Sequence, residues 1–192
     1  MNSIISEKQE EKINRFFNRK LIAVLTFVLL LLIVGNIIFQ LTKHSAFASD
    51  NYVLPYPGIL PNHRLYPLKA LRDNFLEFFT RVPIQKANLY LLFADKRINM
   101  AQILARDGEW ELAETTASKA EKYLLKVKEW TEKSKAIGSS PEVELKTNIS
   151  KAGKEHERIL NNLVKKSPKA YKTGFKLTQK INQEYWTWAK TQ

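Results

Sequence analysis

The chain contains no cysteine, which removes disulfides, thiolate nucleophiles and zinc–thiolate centres from consideration together. Histidine is scarce as well: His44, His63 and His156 are the only three, far apart in the sequence. His156-Glu157-Arg158-Ile159-Leu160 opens like the H-E-x-x-H of zinc proteases, but Leu160 stands where the second ligand is needed. The di-iron pattern Glu-x-x-His fails too, because Gly153 lies three residues before His156. There is no G-x-S-x-G, P-loop or G-x-G-x-x-G. The carboxylate pairs Asp73 with Glu77 and Glu129 with Glu132 have the spacing of solvated helix faces. No catalytic residue, cofactor-binding residue or metal ligand is assigned, no cofactor is implied, and the expectation is a protein that is not an enzyme. A lone His156 on a helix seam reads as a buried or half-buried packing residue.

Acidic residues are in short supply: 31 Lys and Arg stand against 19 Asp and Glu, a formal net charge of +12. The excess is uneven. Residues 49–132 hold 12 basic and 11 acidic side chains, and residues 133–192 hold 13 basic and 5 acidic ones, so the positive field belongs to the last third.

Charge is absent altogether from residues 21–41, LIAVLTFVLLLLIVGNIIFQL, where 17 of 21 residues are apolar. As a helix this run reaches roughly 32 Å, close to the ~30 Å hydrocarbon core of a bilayer. Lys8, Lys12, Arg15, Arg19 and Lys20 precede it and only Lys43 closely follows, which predicts a cytoplasmic N-terminus and an extracytoplasmic C-terminal domain. Ala46-Phe47-Ala48 is an A-x-A pattern, so the run is either a single-pass signal anchor in the cell membrane or a long signal peptide cleaved after Ala48, releasing a secreted domain.

Strand-like alternation is lacking throughout. The predicted fold is all-α, an N-terminal transmembrane helix followed by an antiparallel bundle of one short and four longer helices. Residues 1–20 form the basic N-terminus, 21–41 the membrane segment, 42–63 a Pro-rich connector and 64–192 the bundle, with helices near 66–81, 83–107, 109–137, 141–166 and 168–190. In the connector Tyr52, Val53, Leu54, Tyr56, Ile59 and Leu60 are too apolar for a solvated tether and are expected to lie on the bundle. Leu68, Leu71, Phe75 and Phe78 recur at helical spacing up to the break ahead of Pro83. Ile84, Ala87, Leu91, Ala94, Ile98, Ala101 and Ala105 form one seam and Ala113, Ala117, Ala120, Leu124 and Val127 the next, with Gly108 as the stop between them. Ser140-Pro141 and Ser167-Pro168 read as a cap followed by a proline in the first helical position.

Tyr56-Pro57-Gly58-Ile59-Leu60-Pro61, then Leu65, Tyr66, Leu68 and Lys69, then Pro83, Lys86 and Ala87 make a specific opening pattern. With these motifs the stretch from Tyr52 to Leu124 resembles a helical family of unknown function in exported or membrane-tethered bacterial proteins. The resemblance implies an extracytoplasmic helical domain and lends no activity. Beyond about residue 130 no resemblance is seen. Gly108-Glu109-Trp110 with Ala113 and Ala120 also looks like a tetratricopeptide turn, but no second copy follows at a period near 34, which favours an ordinary helical hairpin.

Two basic stripes are the main candidate surface. Lys151, Lys154, Arg158 and Lys165 share one side of the fourth helix, and Lys169, Lys172, Lys176 and Lys180 one side of the fifth. Read plainly they are solvating side chains; read functionally they attract an anionic surface, whether anionic lipid or a cell-wall polymer. Nucleic acid is not expected, because the topology separates this face from it. Trp186 is turned about 100° from Tyr185, which makes it a candidate exposed aromatic for a partner or, alternatively, a lid over the core edge. The function expected is a membrane-tethered, non-enzymatic binding or scaffolding module of the cell envelope. The alternatives are a structural, homo-oligomerising envelope protein and an enzyme whose site would be a polar pocket around His156.

Overall fold

The computed structural model describes residues 52–139, 141 and 143–192. The apolar run 21–41, the basic residues before it, the Ala48 cleavage site, His44 and Ser140 lie outside the described residues. Among the described residues there are five helices and no strand: α1 Tyr66–Phe79, α2 Pro83–Arg106, α3 Trp110–Ala136, α4 Val143–Lys166 and α5 Lys169–Ala189. None of these is long and apolar enough to cross a membrane.

Local chemistry sets most of the boundaries. Pro83 opens α2 at the first helical position, where a missing N–H costs no hydrogen bond. α2 and α3 each end in a glycine with positive φ, Gly108 at 87° and Gly138 at 78°. At both ends an amide reaches back across the last turn, Glu109 N to Leu104 O at 2.8 Å and Ser139 N to Ser134 O at 3.0 Å, which satisfies carbonyls the helix leaves unpaired. The two proline starts further on differ from the sequence expectation. α4 begins at Val143, with Pro141 buried ahead of it. Pro168 is the N-cap of α5 rather than its first residue, and Ser167 does not cap that helix: its hydroxyl donates back to Val164 O at the end of α4.

α2 and α3 form an antiparallel hairpin whose contact is lined by small residues, Ala87, Ala94, Ala101 and Ala105 on one side and Ala113, Ala117 and Ala120 on the other, all buried. α5 runs antiparallel to α4: Tyr185 Oη donates to Ile149 O at 3.1 Å, and Asn182 Nδ2 reaches Gly153 O at 3.3 Å. The interior divides into two apolar clusters. One gathers Tyr90, Phe93, Leu124, Val127, Ile149 and Tyr185; the other gathers Ile98, Leu104, Ile159, Leu160, Leu163 and Phe175. On every long helix a polar residue stands between the two, namely Asp95, Glu121, His156 and Asn182.

The connector and α1 attach by their polar groups. Tyr52 and Leu54 pack against the core clusters, but Val53, Tyr56 and Ile59, expected to lie on the bundle, are exposed. The apolar seam of α1 is turned outward. Lys69 and Asp73 are its buried residues, while Leu68, Leu71, Phe75, Phe78 and Phe79 are exposed. The reason is polar pairing. Lys69 Nζ donates to Pro57 O at 2.7 Å and Ile59 O at 3.2 Å, Asp73 faces Arg97, and Glu77 accepts from Tyr90 Oη at 2.8 Å and Lys126 Nζ at 3.0 Å. Asp73 is therefore not the solvated carboxylate that its spacing from Glu77 suggested.

Candidate functional site

The cations singled out by the sequence lie on the outside of the α4–α5 pair. Lys154, Arg158, Lys165, Lys169, Lys176 and Lys180 are exposed, and Lys151 and Lys172 are half-buried. Both stripes face away from their helix's buried side because the seams, Leu145, Ile149, Ala152, His156 and Leu163 on α4 and Phe175, Thr178, Asn182 and Tyr185 on α5, claim the opposite arc. Gln179 Nε2 donates to Asn161 Oδ1 at 2.7 Å across the outside of the pair. On helical geometry each of these two residues lies within about 70° of its own stripe. Among the described residues only Arg158 of the eight is ion-paired, with Glu155 of its own helix at 2.6 Å. Four of the six lysines of α3 behave differently: Lys126, Lys128, Lys133 and Lys135 pair with Glu77, Glu184, Glu129 and Glu132, while Lys119 and Lys122 are exposed without an ion pair among the described residues.

Trp186 is half-buried, which corrects the exposed-aromatic expectation and favours the lid. Its ring lies against α4 where Gly153 has no side chain: a Cβ there would stand 2.9 Å from Trp186 Cε3 and 3.2 Å from Tyr185 Cε1. Lys190 Nζ covers the ring from outside at 4.9 Å. Trp188 is held separately, its Nε1 donating to Glu132 Oε1 at 2.9 Å.

His156 is sealed from solvent and fully engaged. Its Nδ1 is 2.8 Å from Glu121 Oε1 and its Nε2 3.0 Å from Asp95 Oδ1. Asn182 Nδ2 donates to the other Glu121 oxygen at 2.9 Å, and Tyr52 Oη donates to the other Asp95 oxygen at 2.5 Å. Burial alone would push the imidazole down. The charge of Glu121 and hydrogen bonds to both carboxylates outweigh it and push His156 up to about 9, so the ring is an imidazolium at neutral pH. Burial and the neighbouring Asp95 raise Tyr52, which stays a neutral donor. This is the ionisable cluster that an enzyme reading asks of His156, but His156, Glu121, Asp95 and Asn182 are 0–4% exposed and Tyr52 is half-buried over them. Both ring nitrogens carry protons toward carboxylates, which leaves no lone pair for a metal, and among the described residues no group of three His, Asp or Glu is placed to hold one. What the cluster does is tie the connector, α2, α3, α4 and α5 together at one level.

Asp95, Glu121 and Asn182 escaped the sequence reading, although a signal exists. Glu121 lies one turn beyond Ala117 on the α3 seam, and Asp95 sits between Ala94 and Ile98 on that of α2.

Neither a curated protein nor a solved structure matches the chain. A family model does, that of the domain of unknown function (DUF5667), over residues 58–170. The match runs well past residue 130, so α4 with Lys151, Lys154, Arg158 and Lys165 lies inside the family's domain, whereas Lys172, Lys176, Lys180 and Trp186 lie beyond the matched stretch. With more than half of its length matched, the chain belongs to the DUF5667 family.

Proposed function

We propose that this chain is a membrane-tethered, extracytoplasmic binding module, non-enzymatic, that holds anionic envelope material on the outer face of α4 and α5. The tether is the run 21–41, which has the length and apolarity to span a bilayer and a basic flank on its N-terminal side. The observation that carries the binding role is the contrast between helices. α3 pairs four of its six lysines with carboxylates, leaving Lys119 and Lys122, while on α4 and α5 the exposed Lys154, Lys165, Lys169, Lys176 and Lys180 have no ion pair among the described residues. Clustered like charge repels itself and gains from an anionic partner.

The test uses the full chain in phosphatidylcholine vesicles and a soluble acidic wall polymer, with phosphatidylglycerol-containing vesicles as a second arm. Cosedimentation at low salt should disappear near about 0.5 M salt, where screening shortens the range of charge to under ~5 Å. The combined variant Lys154→Gln, Arg158→Gln, Lys172→Gln and Lys176→Gln should lose it at any salt. Binding that ignores both salt and these substitutions, or no binding in either arm, rules the reading out.

A further inference from the structure

The helix α1 is an amphipathic helix docked by the wrong side for a core element. Its inward face is Lys69, Asp73 and Glu77, each paired with the connector, α2 or α3. Its outward face is Leu68, Leu71, Phe75, Phe78 and Phe79, which fall within an arc of about 100° and are 65%, 51%, 55%, 60% and 69% exposed. The three phenylalanines pack on one another rather than on the bundle, with ring centroids 6.3 Å apart for Phe75 and Phe79 and 5.2 Å for Phe78 and Phe79.

Charge is sorted in the same way. The two acidic residues of α1 are both paired on its inner side, Asp73 with Arg97 and, at 2.7 Å, with the exposed Arg72, whereas Arg64 and Arg81 are exposed beside the apolar face, with the Arg81 guanidinium 4.7 Å above the Phe78 ring. A contiguous apolar face with an aromatic cluster and a cationic rim is the composition of a helix that lies in a membrane interface. A second copy fits less well, because a symmetric α1–α1 contact sets cation against cation around its rim.

The length of chain ahead of α1 favours the bilayer. Leu41 ends the apolar run and Tyr52 begins the described residues, with ten residues between them. Those ten extend to at most about 36 Å, so a domain tethered by the run is confined to the lipid surface. The polar side of α1 meets Tyr90, Arg97 and Met100 of α2, on the side of that helix opposite Asp95, which faces His156 of α4. Contact of α1 with lipid therefore leaves the basic α4–α5 surface available.

We propose that α1 lies along the headgroup layer of the tethering bilayer, with Leu68, Leu71, Phe75, Phe78 and Phe79 among the lipids. This rests on the tethered reading above. Because the chain has no cysteine, a single nitroxide can be placed at Leu71→Cys or Phe78→Cys, with Lys119→Cys on α3 as the control. In the full chain reconstituted in phosphatidylcholine–phosphatidylglycerol vesicles, the labels at 71 and 78 should relax with oxygen and be shielded several-fold from a water-soluble nickel complex relative to the label at 119. Equal nickel access at all three sites, in protein that resists carbonate extraction, overturns the α1 contact and leaves the tether standing. Release of the chain by carbonate overturns both. Dipolar broadening at position 78 that vanishes on dilution with unlabelled chain assigns the face to a second copy and likewise overturns the proposal.

Discussion

His156 Nδ1 stands 2.8 Å from Glu121 Oε1, and this contact makes a charged pair the centre of an otherwise apolar helical interior. Asp95 on the other ring nitrogen gives the imidazolium two carboxylates and leaves no face of it to water. Such a cluster holds only as a unit, since removing the cation strands two buried anions. We expect His156→Ala to lower the free energy of unfolding by about 3–5 kcal/mol. Urea denaturation checks this, with the exposed Lys154→Ala on the same helix staying within about 0.5 kcal/mol of the wild type.

The same cluster fixes the alkaline limb of stability. His156 binds its proton more tightly in the folded state, so its contribution is complete below pH 6.5, its ordinary value, and is lost as pH rises through about 9. Lys69 has the opposite sign: burial lowers it from 10.5 to about 8, so it adds stability as pH rises above 8. Between pH 6.5 and 8 the decline should therefore come from His156. Across its whole range the loss is on the order of 3 kcal/mol. Melting temperatures should fall over that interval in the wild type and stay level in His156→Gln.

Tyr52 reports on whether the connector belongs to the folded unit. Tyr52→Phe keeps the ring and removes the hydroxyl that donates to Asp95, and we expect it to cost about 1–2 kcal/mol. A change within about 0.3 kcal/mol, measured by the same denaturation, would show the connector to be detached.

Trp186 and Gly153 should behave as one contact. Trp186→Ala uncovers a half-buried surface and should cost about 1–3 kcal/mol. Gly153→Ala gains helix propensity but forces its methyl to within 2.9 Å of Trp186, and should be destabilising by about 1–2 kcal/mol. In the Trp186→Ala background the penalty at position 153 should shrink, which a double-mutant cycle measures.

The helix boundaries at Gly108 and Pro83 were legible in the sequence because their causes are local, whereas the Ser167-Pro168 start was not, Ser167 bonding back to α4. Gly108 and Pro83 act through their own backbone. The direction in which α1 faces was not: spacing at three and four shows that Leu68, Leu71, Phe75 and Phe78 share a side, and nothing in the period says which side docks. That choice depends on Arg97, Lys126 and the Pro57 carbonyl, contributed by other segments. The polar layer was hidden for the same reason, its bonds joining residues 35 and 61 positions apart. The basic stripes could be read because they need only one helix each, whereas Trp186 required knowing that Gly153 of the neighbouring helix leaves room for its ring.

Binding of anionic envelope material on α4 and α5 requires the bundle to lie on the outer side of the membrane. A cysteine placed at the exposed Thr173 of the full chain, in intact cells treated with a membrane-impermeant maleimide, measures this directly. Thr173→Cys should be labelled before lysis, in a protein that fractionates with membranes. Labelling that appears only after lysis would contradict that placement.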